Sequence, residues 1–256
     1  MCGRFALEAD HTELVEAFGL DSMPDMPPRY NIAPTQPIVV VRGRDVPEGS
    51  NAPPREALLA RWGLIPSWAK DPKDVPLLIN ARSETAAQKA SFRGAMRHGR
   101  VLVPASGFYE WRRTPPPGGR GKPQLQPFWV RARGGGTVAF AGLNEREAAG
   151  KPLDTAAILT VDANDAFRDI HHRMPVLVAP DDWERWLDVR RTPADVADVL
   201  RTPRDDAFEA IPVSDAVNKV RNQGPELIER VEPPAREAGR TRPKEPAGAT
   251  QGELFG

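Results

Sequence analysis

The sequence predicts an α+β fold, a single domain built on a mainly antiparallel, barrel-like β-sheet with short flanking helices. Apolar residues occur in short alternating or continuous runs that are typical of strands, and helical spacing is confined to brief segments between them. Strands and helices do not alternate regularly, which disfavours a parallel α/β sheet. With 256 residues, 40% of them apolar, the chain can bury a core of its own.

The predicted strands are short apolar runs bounded by turn-forming residues. They cover residues 38–41, 58–64, 101–109, 128–131, 138–143, 156–161, 176–178 and 208–211. The predicted helices are brief segments with suitable capping residues. They cover residues 12–18 (ending at Gly19), 84–89, 92–98 (ending at Gly99), 181–187 and 194–200.

Composition divides the chain into a folded domain over residues 1–230 and a C-terminal tail over residues 231–256. The tail is rich in Pro, Glu, Arg and Ala and almost lacks apolar residues before Leu254, a composition that predicts disorder. Residues 42–55 and 113–127 are dense in Pro, Gly and charge, and they predict exposed loops of the domain.

Charge is balanced overall but unevenly distributed along the chain. Lys plus Arg and Asp plus Glu number 35 each, yet residues 80–133 are mainly basic and residues 181–209 mainly acidic. The basic stretch predicts either a face for phosphates or an ordinary solvated surface, and charge alone leaves both open.

Cysteine and histidine usage argues against several classes of protein. One cysteine excludes an internal disulfide or a CxxC metal site, and four histidines without HExxH spacing disfavour a zinc enzyme. We therefore expect no metal and no cofactor. Without an apolar run of ~18 residues or a signal peptide, we expect a cytoplasmic, nucleoid-associated protein with no membrane contact.

The single cysteine, Cys2, directly follows Met1. Its small side chain favours removal of Met1, which would leave a free α-amine beside a thiol. Because such an amine has a pKa of ~7.7–8.0, a useful fraction is neutral and nucleophilic in the cell. It could condense with an aldehyde, and the thiol could then close a durable five-membered thiazolidine. A cysteine at this position can also be accidental, so the position alone does not decide its role.

Six segments combine polar, aromatic, Gly and Pro residues between apolar runs. They are MCGRF (1–5), YNIAPTQ (30–36), RWGLIPSW (61–68), NARSET (80–85), PASGFYEW (104–111) and HHRMPV (171–176). Together they resemble the SOS response-associated peptidase (SRAP) family, whose members bind abasic sites in single-stranded DNA. The blocks occur in the family's order and extend to about residue 228, so the domain over 1–230 is interpreted as an SRAP-like catalytic and DNA-binding domain.

The resemblance implies that Cys2 is the crosslinking residue and that Asn80, Glu110 and His171 line the pocket around it. His171 is suited to donate a proton to the ring oxygen of the closed sugar, since imidazole titrates near neutrality. Glu110, at the end of an apolar strand, could act as acid or base, and Asn80 could hold the amine or a sugar hydroxyl. His171 is chosen over His172 because the family's block reads His, any residue, Arg, Met, Pro.

Binding to a single strand requires phosphate contacts and surfaces for base stacking. The residues expected to contact DNA are Arg4, Asn31, Pro34, Trp68, Arg82 and Arg173. Trp68 is the expected stacking residue, whereas Trp62 on a strand is expected in the core. The role of Arg173 stays open. It could support the pocket or contact a phosphate, or it could instead form an ion pair with the acidic stretch over residues 181–209.

An apolar pair stands alone at the end of the polar tail. Gln251, Leu254 and Phe255 resemble the short peptide by which bacterial DNA-repair proteins bind the replicative sliding clamp. The clamp is therefore an expected partner, together with single-stranded DNA that contains abasic sites.

The expected function is a covalent thiazolidine crosslink between Cys2 and the abasic aldehyde, formed by a monomer during the DNA damage (SOS) response. The resemblance also implies formal hydrolase or protease activity, self-cleavage and a DNA-lyase-like reaction. The first alternative is an N-terminal nucleophile glutamine amidohydrolase, which also begins Met-Cys-Gly and would hydrolyse glutamine. The second is a noncatalytic single-strand-binding adaptor, which would bind in a salt-sensitive way without a covalent product.

Overall fold

The computed structural model describes residues 2–47, 49–116, 121–148 and 150–232. The expected clamp-binding residues Gln251, Leu254 and Phe255 lie outside this described part. The α+β class expected from sequence is confirmed, because a closed barrel and a second antiparallel sheet carry a few short helices.

The strands and helices are numbered in chain order. The strands are β1 (Phe5–Leu7), β2 (Arg29–Ile32), β3 (Pro37–Gly43), β4 (Arg55–Trp62), β5 (Asn80–Arg82), β6 (Arg100–Ala105), β7 (Gly107–Thr114), β8 (Gln124–Ala132), β9 (Val138–Ala148), β10 (Lys151–Asp162), β11 (Arg173–Pro175) and β12 (Phe208–Pro212). The helices are α1 (His11–Phe18), α2 (Ser83–Ala86), α3 (Arg93–His98) and α4 (Trp183–Leu187). Turns of 3₁₀ helix cover Pro72–Asp74, Pro180–Asp182, Ala194–Val199, Asp215–Asn218 and Pro225–Ile228.

Five strands close the barrel in the order β4, β3, β6, β9 and β10. Four of the five pairings are antiparallel, and the ring closes through a short parallel pairing in which Ala156 of β10 faces Trp62 of β4. The barrel strands supply much of the main core, including the fully buried Val40, Leu102 and Phe140. Because the barrel is closed, none of these five strands leaves a free edge that could pair with another chain.

The second sheet has the order β12, β8, β7, β1 and β2, and all of its pairings are antiparallel. A smaller core on this sheet is built around Tyr109 and Trp129, together with Val217 and Leu227 from the C-terminal part of the domain. The segment after β12 is thereby packed onto the same sheet that carries the N-terminal strand.

Helix α1 shows how local sequence sets an element. The Asp10 carboxylate accepts from the Glu13 backbone N–H and the Glu13 carboxylate accepts from that of Asp10, which completes a capping box. Gly19 ends the helix in the left-handed conformation that glycine adopts without strain. Within the described residues no helix is long and apolar enough to cross a membrane.

Several predicted elements differ from the observed ones. The predicted strand 101–109 is two strands, because the chain passes at Ser106 from the barrel to the second sheet. The predicted strand 176–178 is reduced to a bridge at Leu177, and the strand lies earlier, at β11. The predicted helix 194–200 is a 3₁₀ turn. Strands β1, β2 and β5, with three or four residues each, were not predicted because such short strands show little periodicity.

Three features of the topology bring distant blocks together at one end of the barrel. β5 continues alongside β10 where β4 ends, so Asn80 pairs with Ile158 just beyond the pairing of Trp62 with Ala156. β11 pairs with the end of β10 through Arg173 and Asp162. β1 pairs with β7 through Phe5 and Phe108, which places the start of the chain along the strand that carries Glu110.

Candidate active site around Cys2

Cys2 is completely buried although it is the second residue of the chain. Its thiol lies 3.9 Å from the carbonyl oxygen of Arg4, and its own carbonyl accepts a hydrogen bond of 2.8 Å from Asn80 Nδ2. Burial, reinforced by the charge of Glu110, raises the pKa of the Cys2 thiol far above its ordinary range. The thiol is therefore protonated at neutral pH.

Glu110 lies on β7 opposite Phe128 of β8, and only 4% of it is exposed. Burial raises the pKa of its carboxyl group from 4.5 to about 7, because an ionised carboxylate is poorly solvated among apolar neighbours. Near neutral pH this side chain is thus present in both protonation states, as a group that must give and take protons should be.

His171 approaches Glu110, with 4.0 Å between its Nδ1 atom and the Glu110 Oε1 atom. Its Nδ1 atom lies 2.9 Å from the Arg173 backbone nitrogen and 3.0 Å from the Arg173 carbonyl oxygen, so the tautomer decides whether it accepts or donates. Burial lowers the pKa of His171 to about 4. At neutral pH His171 is an uncharged hydrogen-bond donor, which differs from the proton-releasing acid expected from sequence.

Asn31, which was expected to contact DNA, has its side chain inside the protein. Its side chain is completely buried, and its Nδ2 atom faces the carbonyl oxygens of Val217, Lys219 and Asn222 at 2.9–3.2 Å. Its Oδ1 atom accepts a hydrogen bond of 2.6 Å from Arg4 Nη1. Asn31 instead fastens the N-terminal segment to a loop near the end of the domain.

Arg4, also expected at the DNA surface, takes part in this internal network. Its Nη1 atom donates to Val217 O at 2.9 Å as well as to Asn31. Partial burial lowers the pKa of the Arg4 guanidinium group. Any contact with phosphate must therefore use its other guanidinium nitrogen atoms.

Arg173 forms ion pairs, but with carboxylates outside the acidic stretch over residues 181–209. Its side chain is 5% exposed, and its guanidinium group binds the carboxylates of Glu84 and Asp162 at 2.6–2.9 Å. Nη2 also donates to the backbone carbonyl of Thr160. Its two terminal nitrogen atoms are bound inside the protein, and these contacts fasten β11 to α2 and β10.

The remaining expected contact residues lie at or near the surface. Trp68 is 57% exposed, and its indole N–H donates to the Ala90 carbonyl, which fixes one edge of the ring. Arg82 is exposed at the end of β5, and Pro34 is half-buried in the turn after β2. Trp62 is fully buried against Phe5, as expected for a core residue.

The turn after β2 contains a strained residue that sequence analysis missed. Thr35 has a φ of 72°, a left-handed conformation that a β-branched residue rarely adopts. Its backbone N–H donates to Trp62 O at 2.7 Å, and Trp62 N–H donates to Gln36 O in return. The tip at Pro34 and Thr35, of which Thr35 is exposed, is therefore rigidly attached to the end of β4, and no sequence signal marks this strain.

Most of the chain, including the residues that the fold brings together around Cys2, matches one known protein family. The SOS response associated peptidase (SRAP) family matches residues 1–220. The chain belongs to the SRAP family. Every residue of the site around Cys2 lies within the matched range.

Among SRAP relatives, the chain is 39% identical over 235 residues to abasic site processing protein YoqW of Bacillus subtilis, covering 90% of this chain and 99% of that protein. It is 31% identical to abasic site processing protein YedK of Escherichia coli, covering 90% and 100%. It is 35% identical to abasic site processing protein HMCES of Gallus gallus, covering 80% and 67%. Relatives of this SRAP chain therefore occur in bacteria and in a vertebrate.

Solved structures share the SRAP chain's fold. A protein from Bacteroides thetaiotaomicron superposes with a TM-score of 0.75 at 21% identity, covering 90% of this chain and 100% of that one. A protein from Bordetella bronchiseptica superposes with a TM-score of 0.67 at 27% identity, covering 83% and 100%.

The buried carboxyl group of Glu110 gives a testable dependence of stability on pH. Its folded pKa lies above its unfolded value, so stability is complete below about pH 4.5 and falls as pH rises towards 7. The substitution Glu110→Gln should remove this loss. Relative to the wild type, its unfolding free energy should rise by about 3 kcal/mol between pH 4.5 and pH 8, as measured by denaturant titration.

The matched control is Glu16→Gln, which changes an exposed glutamate on α1. Its stability difference from the wild type should stay constant over the same pH range. A constant difference for Glu110→Gln as well would show that the Glu110 carboxyl group titrates normally.

Proposed function

We propose that this protein forms a covalent crosslink between Cys2, exposed as the N-terminal residue by removal of Met1, and the aldehyde of an abasic site in single-stranded DNA. The observation that carries the proposal is the burial of the only cysteine beside Asn80, with Glu110 and His171 at one end of the barrel. It is also supported by the relatives, which are named abasic site processing proteins. The crosslink would shield the lesion from strand cleavage during the DNA damage response.

The order of bond formation follows from the state of the thiol. Because the pKa of the Cys2 thiol is strongly raised, the α-amine is the first nucleophile. The amine adds to the aldehyde carbon, and the carbinolamine loses water to give an imine. The sulfur then adds to the carbon of the protonated imine, and the thiol proton returns to Glu110, which gave a proton to the departing hydroxyl group. Aldehyde and aminothiol thus yield thiazolidine and one water molecule, with no oxidant, metal or cofactor.

Glu110 is the proton carrier in this proposal. In its neutral form it protonates the departing hydroxyl group of the carbinolamine, and as a carboxylate it then accepts the thiol proton. A pKa of about 7 allows both steps at cellular pH. Glu110 rather than His171 is the acid in this proposal, because a pKa of about 4 leaves His171 uncharged at cellular pH.

His171 and Asn80 orient the reactants. In the tautomer that carries its hydrogen on Nε2, His171 can donate to the ring oxygen of the closed sugar. Glu110 gives that oxygen a proton and takes one back from the anomeric hydroxyl group as the aldehyde opens. In the described part of the chain, the buried Oδ1 atom of Asn80 has no hydrogen-bond partner, although its Nδ2 atom binds Cys2 O. That oxygen is suited to accept from the α-amine of Cys2 and aim its lone pair.

The surface near the site suits a single strand without sequence preference. Trp68 offers an exposed indole for stacking, and Arg82 offers an exposed cation for phosphate. The rigid tip at Pro34 and Thr35 would hold neighbouring bases apart. Glutamine hydrolysis is less well supported, because an amidohydrolase of this type attacks first through the thiol, which is here strongly protonated.

The crosslink is tested on a denaturing gel without reductant. Wild-type protein, with Met1 removal verified by mass spectrometry, should give a heat-stable shifted band with an oligonucleotide that carries one abasic site. Cys2→Ala retains an α-amine but lacks the thiol, and should give no such band. An equal band from Cys2→Ala would exclude the thiazolidine, as would crosslinking by a variant with one uncleaved residue before Cys2.

We also propose that the tail recruits the protein to the replicative sliding clamp through Gln251, Leu254 and Phe255. This rests on sequence alone, namely on an apolar pair that follows a long polar stretch. A tethered anchor of this kind would raise the local concentration near replication forks. A peptide of the last ten or so residues should bind purified clamp, and Leu254→Ala with Phe255→Ala should weaken binding at least tenfold. Equal binding by both peptides would refute the proposal.

A further inference from the structure

The segment over residues 217–222, here named the 217–222 loop, is hydrogen-bonded to two chain segments that adjoin residues of the candidate site. Arg4, two residues after Cys2, donates to its Val217 carbonyl at 2.9 Å. Trp111, the residue after Glu110, donates from its indole nitrogen to Asn218 Oδ1 at 2.8 Å. The loop is therefore bound to both chain segments that carry the proposed chemistry.

The loop is held in one conformation by buried hydrogen bonds. The Nδ2 atom of Asn31 faces the carbonyls of Val217, Lys219 and Asn222, and the Asn222 side chain donates to Ala216 O at 2.8 Å. These contacts turn backbone carbonyls towards the protein. A loop ordered in advance loses little conformational entropy when it binds a ligand.

The outer surface of the loop is cationic. Lys219 and Arg221 are exposed, and the exposed side chain of Val220 lies between them in sequence. Among the described residues, no carboxylate forms an ion pair with either cation, including the nearby acids Asp215 and Glu226.

Many other exposed arginines of the domain are paired. Arg131 binds Glu209 at 2.8 Å, Arg190 binds Asp188 at 2.8 Å and Arg204 binds Asp206 at 3.0 Å. Two unpaired cations on a fixed loop are thus available for an external anion.

We propose that Lys219 and Arg221 bind backbone phosphates of the DNA strand that flanks the abasic nucleotide. This inference rests on the proposed function, because it requires a polyanionic strand to enter the site around Cys2. Phosphates carry no sequence information, and Val220 adds a small apolar contact, so the loop would position DNA of any sequence.

The test measures binding of the full-length protein to an undamaged single-stranded oligonucleotide by fluorescence anisotropy at several salt concentrations. Each phosphate contact on a single strand contributes about 0.7 to the slope of log affinity against log salt. The double variant Lys219→Ala, Arg221→Ala should lower that slope by about 1.4 and weaken affinity at low salt.

The matched control removes two cations from the β9–β10 hairpin, Arg146→Ala and Lys151→Ala, both exposed. Lys151 precedes Ile158, the partner of Asn80, by seven positions on β10, or about 23 Å at 3.3 Å per residue. This control should keep nearly the full slope. A charge-conserving variant, Lys219→Arg with Arg221→Lys, should also keep it and shows whether the loop tolerates substitution.

An unchanged slope in the double alanine variant, or an equal drop in the hairpin control, would overturn the inference. So would loss of slope in the charge-conserving variant when its melting temperature is unchanged. Failure of the proposed function has a different signature, namely no Cys2-dependent adduct from the wild-type protein whatever the salt slopes.

Discussion

The pairing of β1 with β7 brings the first residues of the chain against the strand that carries Glu110. Phe5 pairs with Phe108, and the Tyr109 backbone N–H donates to the Arg4 carbonyl at 2.9 Å. An N-terminus is usually mobile. Here the three residues of β1 and the hydrogen bond between Arg4 and Asn31 hold the N-terminal segment in a fixed position. Without this pairing, Cys2 would have neither its burial nor its neighbours.

Burial then shifts three groups at the site, each towards its neutral form. It raises the pKa of the Cys2 thiol and of the Glu110 carboxyl group, and it lowers the pKa of His171. One physical cause thus yields a protonated thiol, an uncharged hydrogen-bond donor and a proton carrier poised near neutrality. Ionisation of the buried Glu110 lowers the stability of the fold. The same burial gives Glu110 a pKa that suits proton transfer.

The sequence was informative where function or burial leaves a local pattern. The apolar runs predicted the barrel strands, and the strand position of Trp62 predicted a core residue. Local patterns could not identify partners far along the chain. Asn31 meets a loop 186 to 191 positions away, and Arg173 meets Glu84 at a separation of 89, so both were expected to face DNA when their polar groups are bound inside. The lowered pKa of His171 likewise has no local signal, because it depends on burial that only the folded chain defines.

The claim that the α-amine of Cys2 acts before its thiol is tested most directly by reductive trapping. Cys2→Ala, processed to a free N-terminal alanine, retains the amine and can form the imine but cannot close the ring. With cyanoborohydride, it should give a stable adduct with abasic single-stranded DNA, and without reductant it should give none. Wild-type protein should give a stable adduct in both conditions. If Cys2→Ala gives no adduct even with reductant while it still binds the oligonucleotide, amine-first chemistry at this site is contradicted.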